Sequence, residues 1–328
     1  MTRAVMGMAA LIALLALAGL KLGDVAFSWS DLFAALADPA GAPSDAVLIL
    51  FDLRLPRVLL AGLVGMALAL AGAITQAILR NPLAEPGTLG VNAGAALAVT
   101  VVLVAFPAAP AGVTPWAGFA GAAMMAAAIH ALAGRRAATS LRIILIGVGL
   151  SALAGAAITL LTAFGDARDA HRALLWLSGS VYGATWGQVG TLALVLAPAA
   201  ALCGLASRAL DVASLGDVAA RGVGQDTARF QAVMILLCTL ISGAAVAMSG
   251  LIAFVGLIAP HAARRLVGPR HARILPVAAL IGAVIVMAAD LTGRIALSPL
   301  QLPAGVLTAL IGAPVFAALL WRRSASLS

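Results

Sequence analysis

The residues able to do chemistry are few, and each stands alone. Lysine and glutamate occur once each, at Lys21 and Glu85. A Walker A phosphate loop needs a Gly-Lys pair, and Leu20 precedes Lys21, so the chain does not cradle ATP in that way. An His-Glu-x-x-His zinc site fails similarly, because Ala84 precedes Glu85. Cys203 and Cys238 lie in different apolar runs, too far apart in sequence for a metal or redox pair motif, and read as small core residues. His130, His171 and His271 form no metal constellation. A serine hydrolase would draw on Ser249 and His261, but Ala247-Met248-Ser249-Gly250 lacks the first glycine of a nucleophile turn and no oxyanion donors can be named. His261, beside Pro260, reads as a packing histidine rather than a ligand. Asp290 is the one acidic residue well inside an apolar run, where a carboxylate is a functional hypothesis by default. Arg294, one helical turn on, is its expected partner. The inventory yields no catalytic residue and no metal site.

The elements that position these residues belong to a membrane. Of 328 residues, 63% are apolar and 10% charged, against roughly 45–50% and about 25% in soluble domains. That excludes a soluble globular protein. At about 20 residues per crossing of a ~30 Å hydrocarbon core, the apolar residues suffice for about ten crossings and leave no room for a sizeable soluble domain. The runs fall at about 4–22, 56–79, 88–106, 114–133, 141–164, 186–206, 230–249, 251–267, 274–296 and 305–321. The expected architecture is therefore an all-α membrane protein of about ten transmembrane helices, forming one domain over 1–328. The run 251–267 is short and carries Pro260, so it fits a broken or re-entrant helix as well as a full span.

Charge placement favours the crossing. With every run spanning, Arg3, Arg80, Arg135, Arg136, Arg142, Arg208, Arg221, Arg229, Arg264, Arg265, Arg270, Arg273, Arg322 and Arg323 share the side of both termini. Only Lys21, Arg54, Arg57, Arg168, Arg172 and Arg294 fall opposite, with Asp24, Asp31, Asp38, Asp45, Asp52, Asp166 and Asp169. The positive-inside rule then places both ends in the cytoplasm. The net charge of +8 is thus a topology signal, and the scattered arginines make no nucleic-acid face. Arg3, the apolar run and Ala16-Leu17-Ala18 also fit a cleavable secretory signal, though the run is long for one, and retention is expected.

Several connections are more than turns. On the outer side, Ser30 to Leu36 reads as a small amphipathic helix capped by Ser30. Asp166 to Trp186 is amphipathic, with Trp176, Tyr182 and Trp186 at interfacial depth. On the inner side, Ser214 followed by Asp217 fits a capping pattern within Ser207 to Arg229, and Gly216, Gly222 and Gly224 argue against one continuous rod. Leu215, Val218 and Val223 would anchor such an element in a partner's groove, and a solvated connector is the alternative. Asn81 to Gly90 holds two prolines, two glycines and Glu85. Irregular backbone at that depth is tolerated only where it is buried in protein or lines water. The 34 glycines, as in Gly62-Leu63-Val64-Gly65 and Gly118-Phe119-Ala120-Gly121, suit close helix packing.

Here the sequence resembles a family. Arg54-Leu55-Pro56-Arg57, Gly72-Ala73-Ile74-Thr75-Gln76-Ala77, Asn81-Pro82-Leu83-Ala84-Glu85-Pro86-Gly87-Thr88-Leu89-Gly90, Ser214-Leu215-Gly216-Asp217 and Gly250 to His261 are similar to the FecCD-type (BtuC-like) permeases of bacterial ABC importers. The likeness runs from about residue 50 to 322. It implies a ten-span type II importer permease in the bacterial inner membrane, which pairs with a second copy of itself and binds two cytoplasmic ATPase subunits. Substrate, an iron(III) chelate, haem or cobalamin, would arrive on a periplasmic or extracellular binding protein. ATP and Mg would sit on the partner subunits and no cofactor in this chain. Spans two to five and seven to ten would be related by inverted topology. By the same resemblance, Leu215, Gly216, Asp217, Ala220, Arg221, Gly222 and Gly224, within about 207–229, would couple to the ATPases. Arg54, Arg57 and Arg294 would engage carboxylates of the binding protein, a task suited to the planar guanidinium fork, though arginines at helix ends also anchor at lipid headgroups. Asn81, Pro82, Glu85, Pro86 and Gly87 would border the translocation path, with Thr139 and Ser140 at its gate, unless the latter two only cap a helix. An ion-coupled secondary transporter is the competing class, and Asp290 is nearly alone as an intramembrane ion carrier.

Overall fold

The computed structural model describes residues 2–23, 25, 27–37, 44–110, 112–134 and 140–324. Asp24, Asp38, Arg135, Arg136 and Thr139, which entered the charge and gate expectations, lie outside the described residues. The elements in order are α1 (Thr2–Lys21), α2 (Trp29–Ala37), α3 (Ser44–Val47), a π-helical turn (Leu48–Arg54), α4 (Leu55–Ile78), a 3-10 turn (Pro86–Leu89), α5 (Val91–Ala105), α6 (Val113–Ala133), α7 (Ser140–Phe164) and α8 (Ala167–Leu177). Then follow α9 (Trp186–Leu205), α10 (Ser207–Ser214), α11 (Asp217–Gly222), α12 (Thr227–Ser249), α13 (Val255–Val267), α14 (His271–Ile295) and α15 (Ala304–Ser324). Each expected span has its helix.

The core forms around α4, which is buried along nearly its whole length and packs on α14, α12, α13 and α9. Small residues make that approach possible. A Cβ at Gly65 would overlap the Gly282 carbonyl of α14, and one at Gly72 would overlap the Gly256 carbonyl of α13. Gly121 of α6 meets Gly94 of α5 equally closely, and Gly118 faces Ala247 of α12. With lipid as apolar as the side chains, such backbone contact is what favours helix association.

Seven helices among the described residues are long and apolar enough to cross a membrane; α15 counts as shorter over Ala304–Ala318, and so do α5 and α13. By rise per residue these two reach only about 22 and about 20 Å. Each is one part of a broken pass. The chain leaves α4 at Arg80, runs irregularly to Gly90, and only there starts α5. It leaves α12 at Gly250 beside the Trp176 carbonyl near the end of α8, stays irregular to Phe254, and completes the pass as α13, before α14 begins beside α10. The run 251–267 therefore crosses as a broken helix. The two irregular entries come from opposite ends and meet inside the bundle, where a Cβ at Gly256 would lie 3.1 Å from Pro86. Phe254 starts α13 at φ 67° and rests its ring against Gly312 of α15.

Two helix caps depart from expectation. Ser28, not Ser30, caps α2: its hydroxyl accepts from the Asp31 N–H at 3.1 Å while Asp31 accepts from the Ser28 N–H at 3.3 Å, so the cap lies two residues earlier. Ser214 caps nothing. It closes α10 and donates to the Leu210 carbonyl at 2.8 Å, and Gly216 precedes α11 instead.

Candidate functional site

At the end of the bundle carrying α2 and α8, Arg54, Arg57 and Arg294 are all buried. The π-helical turn before α4 aims Arg54 at the C-terminus of α1, where it donates to the carbonyls of Leu20 (2.6 Å), Lys21 (2.8 Å) and Val25. Arg294, from the last turn of α14, donates to the carbonyls of Gly19 (3.0 Å) and Leu22 (2.6 Å). Together they satisfy carbonyls a helix end leaves open and set positive charge against the negative end of its dipole. Gly23 lies against both guanidinium groups.

Arg57 has a different partner. Its Nε and Nη2 reach the Asp290 carboxylate at 2.9–3.0 Å, Nη1 donates to Gln301 Oε1 at 2.7 Å, and the guanidinium lies 5.4 Å from the Tyr182 ring. The expected Asp290–Arg294 pair is thus corrected: Asp290 faces α4 and pairs with Arg57, while the Arg294 fork is drawn to the α1 carbonyls. The intrahelical spacing gave no hint of this, because Arg57 lies far away in sequence. Nor did any pattern mark Gln301. The three arginines share a recess of about 390 Å³ with Asp52, Tyr182 and Gln301. A larger one beside it, about 640 Å³, is walled by Trp176, Tyr182, Gln188, Met248 and Pro299. Trp186 donates its indole N–H to the Phe51 carbonyl at 2.9 Å.

At the opposite end, Ser207 to Arg229 folds as two short helices, broken at Gly216 (φ 107°) and again at Gly224 (φ 84°). Gly222 lies within α11 and is not a break. Leu215, Val218 and Val223 are 75%, 89% and 70% exposed, whereas Leu210 and Ala220 are fully buried. Arg221 is exposed. The element therefore shows an apolar rim outward while its other face packs on α4 and α14. Asp217 pairs with Arg80, at the start of the irregular entry to α5, at 3.2 Å.

That entry is held by local bonds. Asn81 Oδ1 accepts from the Leu83 N–H at 3.0 Å, the Thr88 hydroxyl donates to the Glu85 carbonyl at 2.6 Å, and Pro86 and Gly87 form the 3-10 turn before Gly90 (φ 78°). Pro82 is half-buried. Ser140 opens α7. Gln76, one turn before Arg80, pins α13 by donating to the Gly256 (3.3 Å) and Leu257 (3.2 Å) carbonyls while accepting from Arg264.

The other candidates are structural. Ser249 donates to the Ala245 and Gly250 carbonyls rather than to an imidazole. Cys203 and Cys238 are buried, the latter 3.1 Å from the Thr75 hydroxyl. Among the described residues no group of His, Cys, Asp and Glu is placed to hold a metal ion.

Residues 11–322 match the FecCD transport family. The Fe(3+)-citrate import system permease protein YfmE of Bacillus subtilis (strain 168) is 42% identical over 276 residues, 83% of this chain and 81% of that protein. The Fe(3+) dicitrate transport system permease protein FecD of Escherichia coli (strain K12) is 39% identical over 94% of both chains. The vitamin B12 import system permease protein BtuC of Vibrio parahaemolyticus serotype O3:K6 (strain RIMD 2210633) is 38% identical over 82% of this chain and 81% of its own. In three dimensions the fold is similar to a chain described as a metal-chelate type ABC transporter in an inward-facing conformation, with a TM-score of 0.88, 29% identity, and coverage of 98% of this chain and 100% of that one.

Proposed function

The chain belongs to the FecCD transport family of ABC importer permeases, and from that membership we propose that it carries an iron(III) chelate, haem or cobalamin across the bacterial inner membrane, driven by ATP hydrolysis on separate subunits. The observation that carries this reading is the α10–α11 element. It holds Leu215, Val218 and Val223 out in solvent while ion-paired and packed to the two central helices behind it. An apolar rim on a rigid polar mount suits a groove in a cytoplasmic ATPase subunit. The remaining coupling residues, Gly216, Asp217, Ala220, Arg221, Gly222 and Gly224, shape and seat that rim.

The whole chain, 1–328, acts as one permease unit with both termini in the cytoplasm, so that α10–α11 lies inside and the arginine recess outside. A binding protein docks at that outer face, over the recess lined by Arg54, Arg57 and Arg294, whose guanidinium groups are already engaged with backbone carbonyls and with Asp290. Two copies of the chain form the path, and the irregular entry with Asn81, Pro82, Glu85, Pro86 and Gly87, together with Thr139 and Ser140, borders it on the inner side. Asp290 is held by Arg57, which leaves it poorly suited to carry an ion in a secondary transporter.

The test is reconstitution with the ATPase subunits and the binding protein. Substituting Val218→Asp and Val223→Asp together is expected to lower uptake by at least about tenfold while membrane insertion persists, because apolar anchors dominate such contacts. Undiminished, fully coupled uptake in that variant overturns the reading. So does uphill transport by the purified chain alone on an ion gradient.

A further inference from the structure

The helix α14 begins without a cap of its own. Its flanking residue is Arg270, whose side chain accepts no hydrogen bond, so the first N–H groups must find acceptors elsewhere. One acceptor comes from α10. Asp211 Oδ1 accepts the His271 backbone N–H at 2.8 Å and lies 2.6 Å from His271 Nδ1. A carboxylate there meets the positive end of the α14 dipole as well as two donors on one residue. His271 is buried, and α10 packs directly against both α14 and α4.

We propose that Asp211 is the positioning residue through which the cytoplasmic element moves the central helix pair. Its cap belongs to α14 but is carried by α10, so a displacement of α10 is delivered at the N-terminus of α14. The pair Arg80–Asp217 ties α11 to the end of α4 in parallel, but it is half-exposed and weaker. At the far end, Arg57 and Asp290 lock α4 to α14, and their shared backbone contact at Gly65 and Gly282 lets the two shift as one body. Asp226 caps α12 from the adjoining stretch of the same chain segment, whereas Asp211 stands where a charged side chain of α10 reaches across to the backbone of a spanning helix distant in sequence. The inference rests on the transport reading above and adds the residue that transmits the movement.

The test uses the reconstituted complex with its ATPase subunits and binding protein, reading basal ATP hydrolysis and uptake per ATP. Asp211→Ala is expected to keep co-purification and basal hydrolysis within about twofold and to lower uptake per ATP by about tenfold, the scale of a typical coupling free energy. Asp211→Asn keeps an acceptor for the His271 N–H and is expected to restore most of that loss. A merely structural residue would lower the yield of folded complex and leave uptake per ATP unchanged, and that result overturns the proposal. A second measurement needs no substitution: hydrogen exchange of the wild-type complex with and without a non-hydrolysable ATP analogue. Altered protection in both 207–214 and 271–276 supports the proposal, and a change confined to 207–214 overturns it. A wild-type complex that shows no ATP-dependent uptake fails the transport reading itself, and is thereby distinguished from a coupled wild type indifferent to Asp211→Ala.

Discussion

Arg57 and Asp290 illustrate what burial does to a charge. Both are out of water, and their three contacts at 2.9–3.0 Å with the further bond to Gln301 offset the desolvation. Replacing Arg57 by alanine strands the carboxylate and is expected to cost about 3–5 kcal/mol, whereas Arg57→Met with Asp290→Leu should be close to neutral. Thermal unfolding of the purified chain in detergent reads both. At this scale the sequence was informative about which residues mattered and less so about whom they meet. Arg54, Arg57, Arg294 and Asp290 stood out as charges at or inside apolar runs. Their partners are carbonyls of α1, a glutamine in a proline-flanked loop and each other across distant helices. Those pairings come from helix packing, which leaves no local periodic trace.

Helices were the most legible level, since each apolar run became a helix, and Gly65, Gly118 and Gly121 of the two glycine pairs mark close approaches while Gly62 meets Met287 only at ordinary contact distance. Gly65→Ala is expected to destabilise by about 1–3 kcal/mol, because its methyl group would enter the Gly282 backbone. Gly7→Ala in α1 makes the control: nothing lies within 4 Å of the added carbon, so helix propensity alone should leave stability level or raised by up to about 1 kcal/mol. The same detergent melts compare them. Cap positions were less legible, as Ser28 and Gly216 show. A serine beside an acidic residue fits several registers, and the hydrogen bonds that choose among them also depend on how the helix is docked. The broken passes were foreseeable from Pro260 and the Asn81–Gly90 loop, but their meeting inside the bundle was not.

For the whole molecule, α7 presents a long uncovered apolar surface among the described residues. Leu141, Leu145, Val148, Leu153 and Leu160 are exposed along its length, and its helix neighbours are α5, α6 and α8. A pairing of two copies along this helix is expected to bring Leu160→Cys of one copy within oxidative cross-linking reach of the same substitution in the other, in a background lacking Cys203 and Cys238. A monomer band under oxidising conditions would place the second copy elsewhere. The apolar runs and the residue strings made the architecture legible at this scale, while the choice of cargo left no mark, since the recess beside Tyr182 is walled by ordinary aromatic, hydroxyl, amide and apolar groups.

The brevity of α5 and α13 also bears on how the chain is made. A segment of about 20 Å, entered through irregular backbone, offers the insertion machinery too little hydrocarbon-compatible length to be released into lipid by itself. Each packs closely on the helix synthesised next, α6 for α5 and α14 for α13. Biogenesis must therefore retain these two segments at the translocon until the following helix emerges, and release them in pairs.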